Sequence, residues 1–99
     1  MKFEEIKKVK QQLYKIAAKH GINEVYVFGS VARGESKDIS DIDFLIKLDE
    51  NASAFGVGAF QYEVQQLLGI EIDVIPTFAL SQVKDQAFVK SVQSEAIAL

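Results

Sequence analysis

Two aspartates stand at the start of an alternating apolar stretch, where a buried strand would favour apolar or β-branched residues. From Ile42 to Leu48 every second residue is apolar, and Asp41 and Asp43 fall together on the opposite face of the predicted β-strand. Twice the rise of a strand separates them by roughly 6.6 Å, so their charges repel unless they are solvated or paired. A divalent cation removes this conflict, and Mg²⁺ prefers carboxylate oxygens. The stretch therefore predicts a cation site on a sheet.

The remaining periodicity predicts helices and strands in alternation. The predicted bounds are helix 3–19, strand 25–28, short helix 30–35, strand 42–48, helix 54–68, strand 70–75 and helix 80–94, the last with Ser81 as its N-cap. Residues 96–99 predict either a frayed helix end or a short edge strand. The order α-β-α-β-α-β-α favours an α/β (α+β) fold, in which helices pack on a small mixed sheet of three strands, or of four with the tail.

The connections predict how the strands pair. The link between the first and second strands is short, which favours an antiparallel pair if Gly29 and Asp41 line one site. A whole helix lies between the second and third strands, and this suits a parallel pair. The ends of the three strands that carry polar residues would then meet at one edge of the sheet.

Composition limits the class of protein. With 99 residues, 48% of them hydrophobic, the chain predicts one domain, 1–99, with its own core. A net charge of -3 disfavours general binding to a nucleic-acid backbone, and the absence of cysteine excludes disulfides and thiolate metal sites. The N-terminus lacks a signal-peptide pattern, and no apolar run is long enough to span a membrane. The sequence therefore predicts a soluble, cytoplasmic protein.

Further residues predict a site for a phosphorylated ligand. Asp73 interrupts the third predicted strand as Asp43 interrupts the second, and three carboxylates on adjacent strands suit two-metal phosphoryl transfer. Gly29 allows a tight turn and close approach of a ligand, and Ser30 adds a hydroxyl at a helix start, where phosphate is favoured. Arg33, one turn later, would add positive charge toward a triphosphate.

Each of these residues also has a plainer explanation. The three aspartates could instead mark exposed positions on strands, and Ser30 could serve only as a helix cap. For Arg33, a surface salt bridge to Glu35 or Asp38 competes with contact to a phosphate. The spacing of all these residues together distinguishes a ligand site from such ordinary roles better than any single residue does.

That pattern lies in the stretch GSVARGESKDISDID, in which Gly29-Ser30 is followed by ten residues and then by Asp41-Ile42-Asp43. It resembles the signature of the DNA polymerase beta-like nucleotidyltransferase superfamily, and Asp73 in IEIDVIP matches the third aspartate of that family. The chain length and the residues ARGES…SDIDFLI resemble the minimal nucleotidyltransferase (MNT) branch in particular. The resemblance covers residues 25–76.

The resemblance implies an activity, a cofactor and a partner. It implies transfer of a nucleoside monophosphate from a nucleoside triphosphate, here AMP from ATP, with two Mg²⁺ ions. The implied catalytic and metal-binding residues are Asp41, Asp43 and Asp73, and the implied nucleotide-binding residues are Gly29 and Ser30, to which the reading of the residues above adds Arg33. The minimal branch is often an antitoxin encoded beside a HEPN-domain RNase toxin, and some members AMPylate a tyrosine of that toxin. A toxin of this type is therefore the expected partner.

Two other functions remain open. The chain could be a non-catalytic antitoxin that caps a toxin by contact, although a pure binder has no need for three costly carboxylates. It could instead transfer a nucleotide to a small molecule such as an aminoglycoside. The nucleotidyltransferase core takes up most of the 99 residues, which favours a macromolecular acceptor or a homo-oligomer that completes the acceptor site.

Overall fold

The computed structural model describes residues 2–35 and 42–99. In chain order the elements are α1 (Phe3–Lys8), α2 (Lys10–Lys19), β1 (Ile22–Phe28), α3 (Ser30–Arg33), β2 (Ile42–Leu48), α4 (Phe55–Leu68), β3 (Ile72–Pro76), α5 (Thr77–Leu80), α6 (Gln86–Glu95) and β4 (Ile97–Ala98). The strands form one mixed sheet in the order β3-β2-β1-β4, so the predicted α/β (α+β) class is confirmed and the tail supplies a fourth strand. Among the helices in these residues, none is long and apolar enough to cross a lipid bilayer.

The strand pairing follows the prediction from the connections. β1 and β2 are antiparallel, and β2 and β3 are parallel with α4 as the crossover between them. The short β4 pairs antiparallel with β1, and the Leu99 N–H donates to the Val25 carbonyl at 3.0 Å. This pairing brings the end of β1 beside the beginnings of β2 and β3.

The larger hydrophobic core lies between one face of the sheet and the helices α2 and α4. Phe44 of β2 and Phe60 of α4 are fully buried and meet edge to face, with ring centres 6.3 Å apart. Fully burying a side chain of this kind stabilises the fold by about 1.5–3 kcal/mol. At the rim of this layer Glu63 of α4 pairs with Lys19 and His20 at the end of α2. The core holds the sheet on the side away from the carboxylates.

The opposite face of the sheet has a smaller cover, made of α5 and α6. Phe28 of β1 and Leu45 of β2 pack there against Leu80 of α5 and Val92 of α6. Since side chains two residues apart on a strand share a face, Asp43 lies on the same face as Leu45. This arrangement leaves the acidic residues of the strands beside a small cluster and not under the main core.

The helix bounds differ from the prediction at both ends of the chain. The first helix is interrupted at Val9, and the last helix begins at Gln86, well after the predicted start. The prediction of Ser81 as N-cap is wrong, because Asp85 is the residue whose side chain accepts the Phe88 N–H at 3.2 Å. Leu80 is buried in the second-face cluster, so the chain must turn after it before α6 can cross the sheet.

The cap of α6 gives a first testable prediction. Asp85→Ala should lower the free energy of unfolding by about 1 kcal/mol, because the Phe88 N–H loses its partner at the helix start. Ser81→Ala should change it by less than about 0.5 kcal/mol, since Ser81 is exposed in the turn before α6. Urea denaturation of both variants measures the difference. Equal losses would contradict the assignment of the cap to Asp85.

Candidate active site

Two of the three predicted aspartates occupy equivalent places on neighbouring parallel strands. Asp43 is the second residue of β2 and Asp73 the second residue of β3, and the two are direct register partners. Adjacent strands lie about 4.8 Å apart, and residues in register on parallel strands point to the same face. Both carboxylates therefore project from the face that α5 and α6 partly cover.

Gly29 brings the backbone against one of these carboxylates. It follows Phe28, the register partner of Asp43, and it has φ 74° and ψ −151°, a conformation open almost only to glycine. A Cβ atom at Gly29 would lie 2.3 Å from Asp43 Oδ2. The backbone thus passes so close to the carboxylate that no side chain fits between them, and only glycine suits this position.

Ser30 and Arg33 belong to the short helix α3, which starts directly after Gly29. Ser30 is half-buried in its first turn and is not among the residues that line the cleft described below. Arg33 Nε donates to Glu35 Oε2 at 3.0 Å, and Arg33 Nη1 donates to Glu95 Oε2 at 2.9 Å. The hydrogen bond that Arg33 donates to Glu35 raises the pKa of Arg33 above its ordinary value.

A cleft of about 590 Å³ lies on the second face of the sheet. Its volume falls within the range of small-molecule sites. The cleft is lined by Gly29, Arg33, Asp43 and Asp73 together with Phe28, Gln61, Val74, Ile75, Phe88, Ser91 and Val92. The structure therefore brings four of the predicted site residues together and adds a wall from α6 that the sequence analysis did not foresee.

Two glutamines of α4 hold the beginning of β3 in place. Gln61 Nε2 donates to the Ile72 carbonyl at 2.9 Å, and the Ile72 N–H donates to Gln65 Oε1 at 3.1 Å. β3 is an edge strand, so these side chains satisfy backbone groups that have no neighbouring strand. Because Ile72 precedes Asp73, these two hydrogen bonds also hold the backbone that carries Asp73. The sequence analysis missed both residues, since polar residues on a helix carry no sign of such a contact.

Asp41, the remaining predicted ligand, lies outside the described residues. Within residues 2–35 and 42–99, no group of three histidine, cysteine or acidic side chains is arranged to hold an ion. The carboxylates of Asp43 and Asp73 suit Mg²⁺, which is commonly bound through one or two carboxylates and otherwise by water and substrate phosphates. Asp43 and Asp73 face one cleft, and the absence of a side chain at Gly29 lets the Asp43 carboxylate lie directly against the backbone there.

Comparison with known proteins gives the same picture as the geometry. A family model described as "Nucleotidyltransferase domain" matches residues 4–99. A Methanocaldococcus jannaschii protein, named as a "putative protein adenylyltransferase", is 39% identical over 70 residues, which are 71% of this chain and 75% of that protein. A solved structure of a "putative minimal nucleotidyltransferase" superposes with a TM-score of 0.80 and 29% identity, over 100% of this chain and 97% of that one.

A more distant structure shares the fold. It is the complex of a tri-AMPylated Shewanella oneidensis HEPN toxin with an MNT antitoxin, matched with a TM-score of 0.62 and 12% identity over 93% of this chain and 69% of that one. The family match spans nearly the whole chain, and the superposition with a TM-score of 0.80 covers almost all of both chains. The chain therefore belongs to the nucleotidyltransferase domain family, as a minimal nucleotidyltransferase.

Proposed function

We propose that this chain is a protein adenylyltransferase, which moves AMP from ATP to a hydroxyl of a partner protein and thereby acts as an antitoxin. The acceptor is a tyrosine of a HEPN toxin. The observation that carries the proposal is the register of Asp43 and Asp73 on β2 and β3, with Gly29 directly against Asp43. The name of the M. jannaschii relative supports protein as the class of acceptor.

The aspartates have separate roles in this proposal. Asp41, Asp43 and Asp73 would hold the Mg²⁺ ions, and Asp73 would also accept the proton of the acceptor hydroxyl. Mg²⁺, when bound, supplies charge neutralisation at the phosphates. Gly29 and Ser30 contact the β- and γ-phosphates through the backbone and the hydroxyl at the start of α3. Arg33 lines the same end of the cleft and would exchange its ion pairs with Glu35 and Glu95 for a phosphate oxygen.

The proposed reaction needs no nucleophile from this chain. The oxygen of the acceptor hydroxyl forms a bond to the α-phosphorus of ATP, and the bond from that phosphorus to the oxygen bridging to the β-phosphate breaks. The hydroxyl proton passes to the Asp73 carboxylate and then to water. The electron pair of the broken bond leaves with pyrophosphate. The residues of the chain therefore act by positioning and by charge.

Label transfer tests this function. The protein is incubated with Mg²⁺, the product of the neighbouring gene as the candidate HEPN protein, and ATP labelled at either the α- or the γ-phosphate. We expect the α-label and not the γ-label on the HEPN protein, because AMP is the group transferred. Asp43→Asn and replacement of the acceptor tyrosine by phenylalanine should each remove the label.

Three results would contradict the proposal. Label from the γ-phosphate would indicate phosphorylation. Inhibition of the toxin without any label, and equally by Asp43→Asn, would indicate an antitoxin that acts by contact. Transfer of the α-label to an aminoglycoside and not to the HEPN protein would indicate a small-molecule acceptor.

A further inference from the structure

We propose that α6 forms the nucleoside subsite of the cleft, with the base of the triphosphate stacked on Phe88 and the sugar beside Ser91. This inference rests on the proposed function, because it assumes that a nucleoside triphosphate binds at Asp43 and Asp73. It goes beyond that function in naming the residues that contact the nucleoside and the class of base that they favour.

A stripe of α6 faces the cleft. Phe88, Ser91 and Glu95 are spaced at i, i+3 and i+7, so they lie along one side of the helix. Phe88 and Ser91 line the cleft together with the largely buried Val92, whereas Val89 is buried and does not line it. The helix thus turns an aromatic ring and a hydroxyl toward the cleft, while Glu95 at the end of the same stripe pairs with Arg33.

The direction of α6 orders this stripe along the cleft. Glu95 Oε2 accepts the hydrogen bond from Arg33 Nη1 at 2.9 Å, so the C-terminal end of the helix lies beside α3. Phe88 is seven residues earlier and therefore roughly 10 Å away along the helix axis. If the phosphates bind near Gly29 and Arg33, a nucleoside that extends along the cleft reaches Phe88 at the other end.

Phe88 offers the surface that a base requires. Within residues 2–35 and 42–99 it is the one aromatic side chain that lines the cleft and is also exposed, by 40%, because Phe28 is only 6% exposed. The rest of the Phe88 side chain is covered, so ordering it against a ligand loses little entropy. Loss of one stack between a base and an aromatic ring, as judged by alanine substitution, weakens binding by about 5- to 150-fold.

The subsite favours a class of base and not one particular base. Stacking depends on the area of the ring, and every base has a π-face. Ser91 is the only residue of the stripe near Phe88 with a hydrogen-bonding side chain, and its hydroxyl donates to Glu95 Oε1 at 3.3 Å. We therefore expect ATP and GTP to bind with similar affinity and both to bind a few-fold more tightly than CTP and UTP.

Direct binding tests the subsite without any acceptor protein. ATP, GTP, CTP, UTP and tripolyphosphate, each with Mg²⁺, are titrated into the wild type and into Phe88→Ala by calorimetry. We expect Phe88→Ala to weaken the binding of ATP by about 10-fold, which lies within the 1–3 kcal/mol of one stack, and to leave the affinity for tripolyphosphate unchanged. Phe88→Trp should retain ATP binding. Phe78→Ala is the matched control, since Phe78 on α5 is 51% exposed and does not line the cleft.

The outcomes separate this inference from the proposed function. If the wild type binds ATP and Phe88→Ala binds it equally well, the subsite is wrong and the proposed function stands. An unchanged ATP affinity with a raised KM for the acceptor protein would overturn the subsite and make Phe88 an acceptor contact. Loss of tripolyphosphate together with ATP would also overturn it, because the effect would then not be confined to the nucleoside. If the wild type binds no nucleotide, both proposals fail.

Discussion

Asp73→Asn is expected to lower AMP transfer by roughly 10²-fold or more, a loss typical of removing general-base assistance, while binding of ATP with Mg²⁺ stays within a few-fold of wild type. The substitution keeps the shape of the side chain and removes the charge that, in the proposed function, accepts the hydroxyl proton. Asp73 is exposed at the beginning of the edge strand β3, so it is accessible to an acceptor, and asparagine there leaves no buried group unpaired. Initial rates of label transfer and calorimetric titration of ATP separate the two effects.

A nearby carboxylate supplies the control. Glu71 lies two residues before Asp73, is exposed, and does not line the cleft, so Glu71→Gln should transfer AMP at the wild-type rate. Removing one of two like charges in register should also leave the melting temperature of Asp73→Asn equal to or above that of wild type when Mg²⁺ is absent. Wild-type transfer by Asp73→Asn would exclude Asp73 from the reaction and leave the Asp41–Asp43 pair alone.

The part of the site that the sequence predicted depends on local rules. Alternation placed Asp43 on one face of β2, and the helix between β2 and β3 predicted the parallel pairing that brings Asp73 into register with it. Gly29 was predicted to form a tight turn, and its φ of 74° agrees, whereas the approach of a ligand to it stays a prediction. Asp41 stays a prediction, because it lies outside the described residues.

The part that was missed depends on tertiary packing. Phe88 and Ser91 fit a helical pattern that any surface helix could show, and nothing local indicates that α6 crosses the second face of the sheet. The error in the start of that helix had the same origin, because Ser81 and Asp85 are both ordinary N-cap residues and the burial of Leu80 decides between them. Arg33 is a second example. Its pairing with Glu35, a near neighbour in sequence, was considered as an alternative in the sequence analysis. Its pairing with Glu95 was not, because Glu95 is 62 residues away in sequence.

Gly29→Val is expected to abolish detectable binding of ATP with Mg²⁺. The backbone at Gly29, with φ 74° and ψ −151°, disfavours a β-branched residue by about 1–3 kcal/mol, and the first atom of the new side chain would lie 2.3 Å from Asp43 Oδ2. The atom that must move is the end of a short side chain and not backbone. The substitution therefore displaces the carboxylate itself, and the protein can remain folded while it loses the site.

Gly69→Val provides a matched comparison for that experiment. Gly69 has φ 74° at the end of α4, and a Cβ atom there would meet nothing within 4 Å, so this variant carries backbone strain without touching the cleft. Both variants should unfold at lower temperature than wild type by circular dichroism, but only Gly29→Val should lose ATP in calorimetric titrations made well below its melting temperature. If folded Gly29→Val bound ATP as tightly as Gly69→Val does, Gly29 would be a strand terminator only, and the close approach to Asp43 would have no part in binding the nucleotide.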